Sequence, residues 1–436
     1  MEENGPGPTA FAASAPLRGT ARVPGDKSIS HRALICAAMA RGRSRLVGLG
    51  EGGDVAATAR ALAAMGARIA RDGPDWTVDG LGTGALLQPG GALDLGNSGT
   101  SARLLAGLVA SHPLAIIFTG DPSLSRRPME RVAAPLRRIG AEAWTAPGGG
   151  LPLIVRGLCP AVPRTHRLDL PSAQVKSAVL LAALNIPGLT RIVEPVPTRD
   201  HSERMLKRFG ADIAVEGGEI VLRGEAALRP QKLSIPGDPS AAAFLAVAAS
   251  IVPGSELRME GIGVNPTRTG LFDLLGAMGA DLAFSNRREV DGEPVADLVA
   301  RHAPLRGLDV PADIAPRMID DFPILFVAAA FAKGTSRTRG LGELRLKESD
   351  RLAAMASGLR AIGAAVEQNG DGLTIAGTGG EPLAGGATVD PGLDHRIAMS
   401  LAVAGLHCRQ PVSVAGMATA DTSFPGFAAL LHGLAR

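Results

Sequence analysis

Hydrophobic positions along the 436-residue chain follow two patterns. Segments such as Ala33-Leu34-Ile35-Cys36-Ala37-Ala38-Met39-Ala40 and Ile324-Leu325-Phe326-Val327-Ala328-Ala329-Ala330 are apolar on nearly every side of a helix, which predicts burial all round. Others, such as Ala211-Asp212-Ile213-Ala214-Val215, alternate apolar and polar residues, as a strand with one buried face does. A hydrophobic-Gly-Ala marker links the two. It occurs as Met65-Gly66-Ala67, Ile139-Gly140-Ala141, Phe209-Gly210-Ala211, Met278-Gly279-Ala280 and Ile362-Gly363-Ala364, with a degenerate copy at Leu431-His432-Gly433-Leu434. Each glycine is expected to stop a helix in a left-handed cap, with a strand following. The period of roughly 70 to 85 residues gives six units.

The two halves also align. Pro24-Gly25-Asp26-Lys27-Ser28 recurs as Pro236-Gly237-Asp238-Pro239-Ser240, and Ala64-Met65-Gly66-Ala67 as Ala277-Met278-Gly279-Ala280. This predicts an α/β fold of two similar lobes of three units each, with crossovers at the Pro-Gly-Asp turns. The expected boundaries are residues 25–237 for one lobe, and 1–24 with 238–436 for the other.

Composition narrows the function. The chain is 46% hydrophobic, enough for a large core. Cys36, Cys159 and Cys408 lie far apart with no metal-ligand spacing, so a reducing, cytoplasmic compartment without a metal is expected. No apolar run is long enough to span a membrane. The opening residues, MEENGPGPTAFAASAP, read as a disordered leader rather than an export signal. A net charge of +3, two Trp and no Tyr argue against a nucleic-acid partner. Only six lysines occur, and Lys27, Lys176 and Lys347 stand in the motifs below.

Short polar loops precede the apolar helices, and a helix N-terminus attracts anions. Pro24-Gly25-Asp26-Lys27-Ser28-Ile29-Ser30-His31-Arg32 adds two cations at one helix start. In the second-half copy the turn survives while Lys27 and Arg32 become Pro239 and Phe244. The fold therefore needs the turn and not the charges, which marks the charges as functional. Similar loops are Leu95-Gly96-Asn97-Ser98-Gly99-Thr100-Ser101-Ala102-Arg103, Ser125-Arg126-Arg127-Pro128, Pro171-Ser172-Ala173-Gln174-Val175-Lys176 and Thr198-Arg199-Asp200-His201. In the second half, Asp320-Asp321 stands at an apolar helix whose dipole should keep both carboxylates ionised. Leu346-Lys347-Glu348-Ser349-Asp350-Arg351 is expected to carry Lys347 and Arg351 on one helix face. Leu393-Asp394-His395-Arg396 puts another cation at a helix head. Singly, each loop also reads as an ordinary cap or a solvated helix face; together they suggest a cationic site for polyanionic substrates.

PGDKSISHR, GNSGTSAR, SAQVKSAVLLAALN, EPVPTRDHSERML, RLKESDRL and LDHRIAMS together resemble the enolpyruvyl transferases, and within them the 5-enolpyruvylshikimate-3-phosphate synthase family, from about Leu17 onward. The resemblance implies an inverse α/β prism, two lobes of three βαβαββ-type units each around buried parallel helices. It implies transfer of the enolpyruvyl group of phosphoenolpyruvate to the 5-hydroxyl of shikimate 3-phosphate by addition–elimination, in a monomer and without a cofactor. Carried over by motif, Lys27, Ser28, Arg32, Ser172, Ala173, Gln174, Arg199, Asp320 and Lys347 would hold shikimate 3-phosphate. Lys27, Asn97, Gly99, Arg127, Gln174, Arg351 and Arg396 would surround phosphoenolpyruvate. Asp320 is the implied base, Glu348 the implied proton donor, and Lys27 a further proton-transfer group. SAQVK in place of Ser-Ser-Gln, and Thr422-Ser423-Phe424-Pro425 without a preceding lysine, suit a divergent subgroup. There, glyphosate tolerance goes with an alanine where this chain has Gly99. The related UDP-N-acetylglucosamine enolpyruvyl transferases, which use a loop cysteine absent beside Arg126, are the nearest alternative. A non-catalytic anion-binding repeat protein is the alternative of another class.

Overall fold

Six helices buried on nearly every side organise the computed structural model, which describes residues 7–13 and 15–435. The chain divides into two units. One comprises Gly25–Pro236 with Glu289–Glu293; the other comprises the described residues of Met1–Pro24, Gly237–Arg288 and Pro294–Arg436.

In the first unit the buried helices are Lys27–Met39, Gly99–Val109 and Ala173–Ala183. Each is followed by a shorter helix, at Gly53–Ala64, Glu130–Arg138 and His201–Arg208 respectively. Three four-stranded sheets cover them, and their topologies match. The strand orders are Lys232–Ser234, Gly42–Val47, Asp75–Gly80, Arg68–Asp72; then Leu93–Asp94, Ala115–Thr119, Leu153–Arg156, Glu142–Trp144; then Thr165–Arg167, Leu189–Val193, Glu219–Arg223, Ile213–Glu216. In each, the first pair is parallel and the rest antiparallel. The pleat sends alternate residues inward: Ile192, paired with Ile220, is buried while its neighbour Arg191 is exposed.

The second unit repeats the plan with more decay. Its buried helices are Pro239–Ile251, Phe322–Phe331 and His395–Gly405. Glu256–Gly263 pairs parallel with Arg18–Ala21 and antiparallel with Glu293–Arg301. The next sheet has three strands, its fourth reduced to bridges at Arg306↔Lys333 and Asp309↔Arg337. The last is split in two, and Thr9–Phe11 completes one part against Val412–Val414.

Five marker glycines have left-handed backbone: Gly66, Gly140, Gly210, Gly279 and Gly363 all show φ between 92° and 103°. The sixth differs, since Gly433 lies inside the helix Phe427–Leu434. The leader expectation also needs correction. Phe11 is fully buried and stacks on His432 at 4.9 Å between ring centroids, so hydrophobic burial orders Thr9–Phe11; Met1–Pro6 and Ser14 lie outside the described residues. The expected boundaries shift as well. Gly237 donates to the Gly261 carbonyl (2.8 Å) and belongs with the second unit. The hairpin tip Glu289–Glu293 belongs with the first, where Glu293 meets buried His201 at 2.7 Å and Asp291 accepts the Ser234 N–H at 2.8 Å.

Close helix packing in the first unit depends on Gly107. A methyl there would sit 2.2 Å from the Ala178 carbonyl oxygen and 2.4 Å from its Cα. Backbone atoms cannot turn aside as a side chain can, so Gly107→Ala is expected to destabilise the protein by about 3 kcal/mol or more. A denaturant melt with an unchanged midpoint would show that the helices separate without penalty.

Candidate active site

In the first unit, polar caps fix where each buried helix begins. Asp26 accepts the Ile29 N–H, Ser98 the Ser101 N–H and Ser172 the Val175 N–H. Two contacts show that these heads lie at one end of the bundle. Gln174 donates to Thr100 Oγ1 at 2.9 Å, and Arg32 donates to Ser177 Oγ at 2.6 Å. Arg32 is buried and also donates to Ser202 Oγ (2.7 Å) and the Ser28 carbonyl (2.8 Å). Lys27 pairs with Asp54 at 2.9 Å. Arg127 reaches Asn97 Oδ1 at 2.5 Å, and Asn97 in turn donates to Asp121 at 2.6 Å. Gly99 lies between two guanidinium groups: a Cβ built there would be 3.0 Å from Nη1 of both Arg103 and Arg127.

Behind these residues runs a buried polar chain. His31 Nδ1 lies 2.7 Å from Thr58 Oγ1, which lies 2.6 Å from Ser101 Oγ, itself 2.6 Å from Ser98 Oγ. Burial, helped by the charges of Lys27 and Arg32, holds the His31 pKa well below the usual imidazole range, so this chain is uncharged at neutral pH. It ties the head of the Lys27 helix to that of the Gly99 helix.

Lys176 takes a different place from the one its motif suggests. Its side chain is 1% exposed and bonded to Glu194 (3.0 Å) and Glu203 (2.8 Å), which makes it a core ion pair. Arg103, unassigned in the sequence, is buried and donates to Gln174 Oε1 at 2.7 Å. Its only signal was its position in the GNSGTSAR loop. Arg199 stands in the loop before the His201–Arg208 helix.

The second unit gathers carboxylates around cations. Arg351, 1% exposed, donates from Nε to Asp394 (2.8 Å), from Nη2 to Glu348 (2.6 Å) and from Nη1 to Asp320 (3.3 Å). Burial opposes its charge, but Asp394, Glu348 and Asp320 more than offset that and raise its pKa above the ordinary value. Lys347 also bonds Asp320, at 3.0 Å. Lys347 and Arg351 do not share a helix face, however. Asp350 caps Ala353, so the helix starts at Arg351 and Lys347 stands in the extended segment before it. Arg396 donates to the Asp320 carbonyl (2.8 Å) and to Asp321 Oδ1 (3.0 Å). Burial pushes the Asp321 pKa up, against the pull of Arg396, Arg268 and Ser240. Among the described residues no group of His, Cys, Asp and Glu could hold a metal ion, and no helix is long and apolar enough to cross a membrane.

The sequence model of the EPSP synthase (3-phosphoshikimate 1-carboxyvinyltransferase) family matches residues 11–431. A 3-phosphoshikimate 1-carboxyvinyltransferase of Sphingopyxis alaskensis is 60% identical, with 98% of each chain covered. Its namesake from Novosphingobium aromaticivorans is 56% identical over 98% of this chain and 99% of that one. Among solved structures, EPSP synthase from Acinetobacter baumannii superposes with a TM-score of 0.86 at 42% identity, covering 98% of this chain and 97% of that one. The enolpyruvyl transferase NikO from Streptomyces tendae shares the fold, with a TM-score of 0.77 at 21% identity and 98% of each chain covered. With the family's motifs standing at these helix heads, a match over nearly the whole chain leaves one conclusion: the chain belongs to the EPSP synthase family, the 3-phosphoshikimate 1-carboxyvinyltransferases.

Proposed function

We propose that the helix-head residues of the two units carry out the family's reaction, transfer of the enolpyruvyl group of phosphoenolpyruvate to the 5-hydroxyl of shikimate 3-phosphate. What supports this assignment is that nearly every motif-predicted residue stands in the first turn of a helix or in the loop before it, where unpaired N–H groups and side-chain cations favour anions. Lys27, Ser28, Arg32, Ser172, Ala173, Gln174, Arg199, Asp320 and Lys347 hold shikimate 3-phosphate. Lys27, Asn97, Gly99, Arg127, Gln174, Arg351 and Arg396 hold phosphoenolpyruvate, the arginines matching its carboxylate and phosphate with their planar donors.

The 5-hydroxyl oxygen bonds to the enol carbon while Asp320 takes the hydroxyl proton and the methylene carbon gains one from Glu348, with Lys27 a further participant in proton transfer. The tetrahedral adduct then loses a methyl proton and inorganic phosphate, which restores the double bond. Arg351 holds Glu348 in place through its Nη2, at 2.6 Å.

Phosphate release from phosphoenolpyruvate with shikimate 3-phosphate, and separately with UDP-N-acetylglucosamine, in chelated buffer tests the reading. Release only with shikimate 3-phosphate is expected; release only with the nucleotide sugar, or with neither, would overturn it. We also infer a monomer without a nucleic-acid or membrane partner, and a cytoplasmic location, the last of which the three free cysteines suit; solution mass tests the monomer.

Gly99→Ala would push a methyl against Arg103 and Arg127. Because those guanidinium ends can shift, the expected result is a rise in the phosphoenolpyruvate KM of about three- to tenfold with little loss of stability. An unchanged KM in steady-state assays would show that the loop does not bear on that substrate.

A further inference from the structure

We propose that Thr58, which none of the motifs above contains, is a positioning residue: by anchoring Ser101 it holds the Asn97–Thr100 loop in place for phosphoenolpyruvate. Thr58 is fully buried on the short helix Gly53–Ala64, at a position where the internal repeat allows a comparison. Eight residues before the left-handed marker glycine, the second, fourth and fifth units carry Val132, Leu271 and Met355, all buried. An apolar side chain there therefore satisfies the fold. Among these five copies only the first and third carry a hydroxyl, as Thr58 and Ser202, and a hydroxyl taken out of water costs free energy unless it is bonded. Both are bonded to buried helix heads. Ser202 Oγ receives Arg32 Nε at 2.7 Å and lies 2.7 Å from Ser177 Oγ. Thr58 Oγ1 lies 2.7 Å from His31 Nδ1 and 2.6 Å from Ser101 Oγ.

Ser101 departs from the repeat in the same way. Its N–H is the one that Ser98 caps, and in the other two buried helices of this unit the capped residues are Ile29 and Val175. Its Oγ sits 2.6 Å from Thr58 on one side and 2.6 Å from Ser98 Oγ on the other, with the Asp54 carbonyl further off at 3.4 Å. Ser98 stands between Asn97 and Gly99, where the loop has little slack: Arg127 bonds Asn97 at 2.5 Å, and a Cβ on Gly99 would meet the Arg103 and Arg127 guanidinium groups at 3.0 Å. Without the Thr58 hydroxyl, Ser101 is bonded mainly to its own loop, and its remaining tie to the helix Gly53–Ala64 is the long contact to Asp54. The loop is then free to shift against Arg127, and a small anion held between them loses part of its fit.

This inference rests on the assignment of Asn97 and Gly99 to phosphoenolpyruvate, so the test includes Asn97 itself. Steady-state kinetics of Thr58→Val, Thr58→Ser, Ser101→Ala, the double variant of Thr58→Val with Ser101→Ala, and Asn97→Ala would be measured against both substrates. Thr58→Val, which keeps the shape and removes the hydroxyl, is expected to raise the phosphoenolpyruvate KM about fivefold and leave that for shikimate 3-phosphate within about twofold. Thr58→Ser, which keeps the hydroxyl, is expected to stay within about twofold of the parent for both. The double variant should do no more than the larger single change, since both remove one contact. A merely structural role would lower the melting temperature and the yield of active protein and move neither KM. Ser101→Ala removes the other end of the contact and carries the test if Thr58→Val fails to fold. A raised phosphoenolpyruvate KM in Asn97→Ala beside unchanged KM values in Thr58→Val and Ser101→Ala, equal rises for both substrates, or no rescue by Thr58→Ser would overturn the role of Thr58. An unchanged KM in Asn97→Ala would instead overturn the assignment of the loop, and with it this inference.

Discussion

Arg351→Met is expected to destabilise the protein by about 3–5 kcal/mol and to abolish measurable turnover, because it leaves a buried carboxylate cluster without its central cation. Asp394 is fully buried and holds Arg351 through both its oxygens, at 2.8 and 3.3 Å. Asp394 also accepts from Ser349 Oγ (3.0 Å) and from the Arg396 N–H that it caps (3.0 Å). Those neutral donors cannot replace a guanidinium. With methionine at 351, either Asp394 stays charged in an apolar setting or it takes a proton and weakens the cap of the His395 helix. Both routes cost stability, and both disturb Arg396 at the same helix head. Arg351→Lys separates charge from geometry: one ammonium restores a positive charge but cannot reach Asp394, Glu348 and Asp320 together, so partial stability without parental activity is expected. A urea melt of Arg351→Met that matches the parent would show that the carboxylates tolerate the loss.

The second large effect is catalytic. Asp320→Asn is expected to lower kcat by about 10²–10⁴ while leaving stability nearly unchanged, since it removes a proton acceptor and keeps the shape. Asparagine still offers an oxygen to Lys347 and Arg351, and the backbone carbonyl that accepts from Arg396 is untouched. Turnover equal to that of the parent would remove Asp320 from the role of base. Glu348→Gln isolates the other proton. If Glu348 protonates the methylene, exchange of solvent deuterium into phosphoenolpyruvate should fall with turnover; exchange at the parental rate would pass the role to Lys27.

The sequence by itself determined the repeat, the elements and the chemistry at the helix heads. Gly66 or Gly363 is legible because a left-handed residue between a helix and a strand is a local demand. The functional weight of Lys27 and Arg32 is legible because the other half keeps the Pro-Gly-Asp turn and drops both charges. Tertiary structure decided which charges meet. Lys176 reads like a ligand lysine beside Gln174, yet it points into the core toward Glu194 and Glu203, 18 and 27 residues further on. Asp394 and Arg351, 43 residues apart, form one buried pair, while Lys347, four residues before Arg351, lies off its helix. Phe11 looks like part of a leader until its strand pairs with Val412–Val414, and Arg268 looks like any loop arginine until Asp238 and Ser240 close on it. Caps and periodicity depend on neighbours in sequence, so they can be read along the chain. Ion pairing and desolvation depend on neighbours in space, which only the packing of the helices supplies.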